Sequence, residues 1–231
     1  MLISILGRVG YRDAWLIQEE AHAQVLAGGE ERVLFVEHPP VITFGRRAGV
    51  DRHLIASDEQ LAKLGVEVVQ SDRGGDITFH GPGQLVVYPI LRLNDHRLSV
   101  GGYVHALERA VIATLAEFGI EAHADPSAVG VWTRHAGRDA KICAIGVRIK
   151  RGVSLHGLAL NIETDLRYFD LIVPCGLAGR AVTSMREVMG ERTPAVEKVR
   201  EALAVRLARL NKVPGENSAA AGAAAPRSSG V

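Results

Sequence analysis

The chain has 231 residues, enough for one domain with a full core plus a tail. Hydrophobic residues make up 47% and charged residues 23%, and the net charge is +1, so no global electrostatic signal points to nucleic acid or a membrane surface. No apolar run is long enough to span a membrane, the start MLISILGRVG lacks the basic flank of a signal peptide, and two cysteines are too few for a disulfide framework. A cytoplasmic protein with free thiols at Cys143 and Cys175 is therefore expected, with no nucleic-acid or membrane partner.

Alternation over residues 2–6 predicts a strand. YRDAWLIQEEAHAQVLAGG reads as a helix, with Trp15, Leu16, Val25 and Leu26 near helical spacing and Gly28-Gly29 as its end. RVLFVEH is a buried strand stopped by Pro39-Pro40, and VITFGRR is another. SDEQLAKLG has an N-cap serine and a closing glycine, so it is a short helix, followed by the strand VEVVQS. LSVGGYVHALERAVIATLAEFGI is a long amphipathic helix closed by Gly119. VGVWTR, AKICAIGVRI and SLHGLALNI are strands, the last two joined by a turn short enough for a hairpin. TPAVEKVREALAVRLARLN is the last helix, with Thr193 as cap and Pro194 at its first position. The fold class is α/β (α+β), a mixed central sheet with packed helices and not a regular βαβ array. Residues 1–212 form the domain, and 213–231 are a low-complexity tail expected to be disordered.

RGGDITFHGPGQLVVYPI carries four of the 25 glycines. As a strand, DITFH puts Asp76, Thr78 and His80 on one face and Ile77 and Phe79 on the other. A hairpin whose polar face looks at water explains this as well as a site does. Arg73-Gly74-Gly75 is no phosphate loop, because no Lys-Ser/Thr follows. In AKICAIGVRIKRGVSLHGLALNI a two-residue turn at Arg151-Gly152 sets Gly146 opposite Gly157 and Ala144 opposite Ala159. That leaves a patch nearly without side chains, open to an extended apolar chain or to a closely packed helix.

Lys141 opens this strand. A lysine there is more often a solvated end, but a buried one can exchange its proton near neutrality. Strict alternation puts Lys141 on the face of Cys143, so it reaches the patch only through a bulge or if the regular strand starts after it. Cys175, between Pro174 and Gly176, reads as a loop residue, whereas Cys143 reads as inert core. His80, His156 and Lys141 are the candidate bases for Cys175. No spacing supports a metal site.

Taken in order, RGGDITFHGPGQLVVYPI, AKICAIGVRI, HGLALNI and PCG, with PPVITFGRR before them, resemble the lipoyl(octanoyl) transferases through residues 1 to about 210. The resemblance implies the fold of biotin and lipoate protein ligase catalytic domains. It also implies transfer of an octanoyl group from octanoyl-acyl carrier protein, without a cofactor. The implied acceptors are lipoyl domains of 2-oxoacid dehydrogenase complexes and the glycine cleavage H protein. It makes Cys175 the nucleophile and Lys141 its acid and base partner. Substrate-binding segments are then Arg73, Gly74, Gly75, Asp76, Ile77, Thr78, Phe79 and His80; Ala144, Ile145 and Gly146; and Gly157, Leu158 and Ala159. Arg46, Arg47, Arg148, Lys150 and Arg151 are a candidate docking patch for the acidic carrier, or scattered solvated charges. There are three rivals: an ATP-dependent ligase of the same fold, which Cys175 in PCG argues against; a non-catalytic acyl-carrier or lipoyl-domain binder, which Lys141 and Cys175 argue against; and a cysteine hydrolase using Cys175 and His80.

Overall fold

The computed structural model describes residues 1–173 and 180–210. Cys175 and the tail expectation for 213–231 lie outside the described residues.

Two sheets make the frame. The larger has eight strands: β1 (Leu2–Arg8), β2 (Arg32–Glu37), β6 (Gln84–Ile90), β10 (Val153–Asn161), β9 (Arg138–Lys150), β8 (Ala128–His135) and β7 (Ala122–Asp125), neighbours in that order, with β11 (Ala181–Val182) paired to the start of β9. The smaller is β4 (Glu67–Gln70), β3 (Val41–Phe44) and β5 (Thr78–His80). Helices cover both faces of the large sheet, which is why its central strands read as unbroken apolar runs. On β2, Val33 and Phe35 face α3 (Val100–Glu117) and α5 (Val196–Leu207), while Leu34 and Val36 face α1 (Tyr11–Leu26). The small sheet packs Ile42, Ile77 and Phe79 against α2 (Asp58–Lys63) and the turn Leu166–Leu171.

Several local expectations hold. Ser57 caps α2, in a full capping box with Gln60. Lys150 pairs with Val153 across a two-residue turn, which sets Gly146 opposite Gly157 and Ala144 opposite Ala159.

Others change. The segment around Gly81-Pro82-Gly83 is not a hairpin turn: β5 pairs with β3 in the small sheet, and β6 enters the large one between β2 and β10. The buried face of α1 is Tyr11, Ala14, Gln18, Ala21, His22 and Val25, while Leu16 is 70% exposed. Small and polar residues let this helix lie close to β10, where Gln18 accepts the His156 backbone N–H at 2.8 Å. Thr193 does not cap the last helix. Its N–H and hydroxyl both donate to the Gly190 carbonyl, closing the preceding turn, and α5 (α4 being Met185–Met189) starts after Ala195.

Candidate active site

A cavity of about 310 Å³ opens between β5 of the small sheet and β9–β10 of the large one. Ala144, Ile145, Gly146, Gly157, Leu158 and Ala159 line it, as do Arg73, Gly75, Asp76, Ile77, Thr78, His80 and Lys141. Gly74 and Phe79 support the wall from behind. The Gly74 N–H donates to the Val147 carbonyl at 2.9 Å, and Phe79 stacks on Tyr168 with centroids 4.6 Å apart.

Arg73 ties its own loop to the middle strand of the small sheet. Its guanidinium donates to the Thr43 carbonyl at 2.6 Å, to the Thr43 hydroxyl and to the Gly74 carbonyl. Asp76, 5% exposed, accepts from His53 Nδ1 at 2.6 Å, from Arg47 at 3.2 Å and from the Ile77 N–H at 2.7 Å. So the polar face of DITFH does not look at water.

His80 is buried, and that burial, with the nearby charges of His38 and Arg73, pushes its pKa well below the usual histidine value. Gln84 fixes its tautomer. The Gln84 amide nitrogen donates to Phe79 O and Asn161 Oδ1, so its oxygen faces His80 Nδ1 at 2.8 Å, and Nδ1 carries the hydrogen. His156 is likewise held neutral, chiefly by burial. Its Nε2 donates to Asp72 at 2.6 Å, and Arg148 pairs with the same carboxylate. For Asp72, partial burial is the largest influence and raises its pKa, but His156 and Arg148 together outweigh it and leave the carboxyl below its usual range. Each candidate base is thus engaged: His156 by Asp72, His80 by Gln84 and Lys141 by the Val129 carbonyl.

Lys141 reaches the cavity through a bulge. Val131 pairs with Cys143 but Trp132 pairs with Lys141, so Ile142 is one extra residue on β9. The side chain is 8% exposed; Nζ donates to the Val129 carbonyl at 3.0 Å and lies 4.8 Å from the centre of the Trp132 ring. Cys143, on the core side of the same strand, is fully buried, and burial pushes its thiol up to about 12. It is an inert packing residue.

Tyr11, Val86, Tyr88, Ser127, Ala128 and Val129 also line the cavity and escaped the sequence reading. Val86 and Tyr88 share one face of β6, so alternation held a usable signal there. Nothing local marks the others, which arrive from the start of α1 and the β7–β8 turn. In the candidate docking patch, Arg47, Arg148 and Lys150 are paired with Asp76, Asp72 and Glu19, while Arg46 and Arg151 are exposed.

This architecture is shared with solved structures of lipoate and biotin protein ligases. A bi-partite lipoate protein ligase from Thermoplasma acidophilum superposes with a TM-score of 0.72 at 17% identity, covering 90% of this chain and 82% of that one. A lipoate-protein ligase A bound with ATP gives 0.73 at 16% identity, covering 90% and 84%. A biotin protein ligase from Aquifex aeolicus gives 0.55 at 14% identity, covering 91% and 70%. At these identities the likeness shows the fold alone. A family model described as the lipoyl protein ligase A/B catalytic domain matches residues 10–208. An octanoyltransferase of Chloroflexus aurantiacus is 47% identical, covering 88% of this chain and 90% of that one. Another, from Bacteroides thetaiotaomicron, is 45% identical and covers 87% and 91%. The chain belongs to the octanoyltransferases of this family, which are acyltransferases. Among the described residues no helix is long and apolar enough to cross a membrane.

Proposed function

We propose that the protein moves an octanoyl group from octanoyl-acyl carrier protein to a lysine of a lipoyl domain, through a thioester on Cys175. The acceptors would be lipoyl domains of 2-oxoacid dehydrogenase complexes and the glycine cleavage H protein. The observation that carries this reading is the bulge at Ile142, which turns Lys141 toward a cavity floored by Ala144, Gly146, Gly157 and Ala159. Two flanking contacts support it. The Val173 N–H donates to the His53 carbonyl at 2.7 Å, and His53 holds the cavity residue Asp76. On the other side, Val182 pairs with Lys141. Cys175 falls between these two anchors in the chain.

In this mechanism the Cys175 thiolate, stabilised by the Lys141 ammonium, attacks the donor carbonyl carbon. A carbon–sulfur bond to Cys175 forms, the bond to the carrier breaks, and the carrier thiolate takes a proton from Lys141. The acceptor amine then attacks the acyl-enzyme, the amide forms, its proton passes to neutral Lys141, and the Cys175 thiolate is regenerated. Thioester to amide is downhill, so no ATP is needed. Burial of the acyl chain contributes about 5 kcal/mol at about 0.8 per methylene.

Intact-mass spectrometry tests it. Wild type mixed with octanoyl-carrier protein and no ATP should gain one octanoyl mass, labile to hydroxylamine and transferable to a lipoyl domain. Cys175→Ser should form at most a hydroxylamine-stable ester, and Lys141→Ala should lower turnover about 10²–10⁴-fold. No adduct and no acylated domain would sink the transferase. Transfer appearing only with ATP points to a ligase, free octanoate despite an acceptor points to a hydrolase, and binding without turnover points to a carrier-binding module.

A further inference from the structure

Glu108 is a buried carboxylate that the mechanism above leaves unused. It sits on α3 at 3% exposure, on a face otherwise given to apolar packing. A charge in such a place needs partners. One oxygen takes His105 Nδ1 at 2.9 Å on the solvent side. The other accepts the backbone N–H of Gly130 at 3.1 Å. The carbonyl of that same peptide group belongs to Val129 and accepts from Lys141 Nζ at 3.0 Å. A planar peptide fixes its N–H and C=O in opposed directions, so holding one end aims the other. A carboxylate at the N–H end also polarises the group and makes its oxygen a stronger acceptor for an ammonium.

Two further features fit this path. Gly130 has φ +128°, and a Cβ there would meet the Cys143 carbonyl at 2.7 Å and Lys141 Cε at 3.3 Å, so only glycine lets the peptide lie this close to the lysine stem. The Trp132 indole N–H donates to the Ala128 carbonyl at 2.9 Å, bracing the same turn from the other side, and its ring lies under Lys141 Nζ.

We propose that Glu108 is a positioning residue for Lys141, acting through the Val129–Gly130 peptide. The proposal rests on the reading of Lys141 as the acid and base of the transfer. The carboxylate holds the peptide in register and keeps the ammonium aimed when Cys175 must be anionic.

Glu108→Gln keeps the volume and an acceptor for Gly130 while removing the charge. Two measurements are made on the full chain. Steady-state transfer from octanoyl-carrier protein to a lipoyl domain should show kcat three- to tenfold lower, with both KM values within twofold. Trace labelling with acetic anhydride at pH 7.5, read by peptide mass spectrometry, should show Lys141 acetylated severalfold faster relative to Lys63, because a less polarised peptide holds the ammonium less. Unchanged Lys141 labelling overturns the proposal whatever the kinetics do, and so does a raised KM with kcat kept. If the Gln variant does not fold, Glu108→Asp withdraws the charge by one methylene and is read by the same criteria. Absence of octanoyl transfer by wild type would sink the proposed function, while the labelling arm would still decide the link from Glu108 to Lys141.

Discussion

A methyl group at residue 157 would sit 2.1 Å from the Val87 carbonyl oxygen and 2.8 Å from Pro89 Cδ. At residue 146 it would meet the Gly74 carbonyl oxygen at 2.8 Å. The small-residue patch on β9 and β10 therefore has two uses. It lines the cavity, and it lets β6 and the Arg73–Gly75 segment approach more closely than any side chain would permit. The nearest atom in the way at 157 is backbone and the next belongs to a proline ring, so neither can swing aside. Gly157→Ala is accordingly expected to cost about 3 kcal/mol, at the upper end of overpacking costs. Urea unfolding should show the midpoint fall with little change in slope, and a midpoint within error of wild type would show that β6 can yield. Arg73→Lys follows similar logic. Its planar fork serves both Thr43 oxygens and the Gly74 carbonyl, and an ammonium cannot serve all of these from one point. A loss of about 2 kcal/mol in the same assay is expected.

At the scale of elements, the β8–β9 and β9–β10 hairpins turn on two residues each, both with positive φ: Ala136 and Gly137, then Arg151 and Gly152. This is the turn shape that matches strand twist, and asparagine fits its first position far better than alanine does. Ala136→Asn should stabilise the protein by about 0.5–1 kcal/mol, raising Tm by roughly 1–4 °C for a chain of this size, as calorimetry would show. The same local chemistry explains what the sequence made legible. The β9–β10 register could be read because a short turn and strict alternation leave one pairing, and from it the Gly146–Gly157 and Ala144–Ala159 partners. Lys141 was the exception to alternation, which left a bulge or a later strand start as the two ways out, and the structure takes the bulge. The partners of β5 and β6 were not legible. Gly81-Pro82-Gly83 looks the same whether it closes a hairpin or passes the chain between sheets, and the choice is made by β3 and β10, distant in sequence. Tyr11 and Val129 were missed because only tertiary packing brings them to the cavity. Thr193 misled because a hydroxyl that caps a helix can equally close the turn before it.

At the scale of the whole molecule, the two sheets meet across a buried cluster of rings. His80 on β5 of the small sheet stacks on Tyr11 of α1, with centroids 5.9 Å apart, and Tyr11 stacks on His156 of β10 at 6.5 Å. His38, just past β2, meets His80 at 5.8 Å and shares a 2.8 Å hydrogen bond with the Tyr88 hydroxyl. Burial lowers the pKa of all three histidines from the ordinary 6.5, most strongly for His80. The unfolded chain therefore binds protons that the folded one refuses. Stability is complete above pH 6.5 and declines as pH falls from there toward the folded values, at no more than about 1.4 kcal/mol per pH unit for each histidine, or about 4 for the three. Asp72 acts in the same direction but lower, its depressed carboxyl contributing stability that is lost only below about pH 3.8. Acidification should thus loosen the junction between the sheets, where the cavity lies, well before carboxylates titrate. Denaturant midpoints at pH 7.5 and 5.5 test this. A clear drop is expected for wild type and a smaller drop for His80→Gln, which removes the histidine most strongly held neutral. Equal wild-type midpoints at the two pH values would mean that the cluster admits protons, and with them water, without opening the junction.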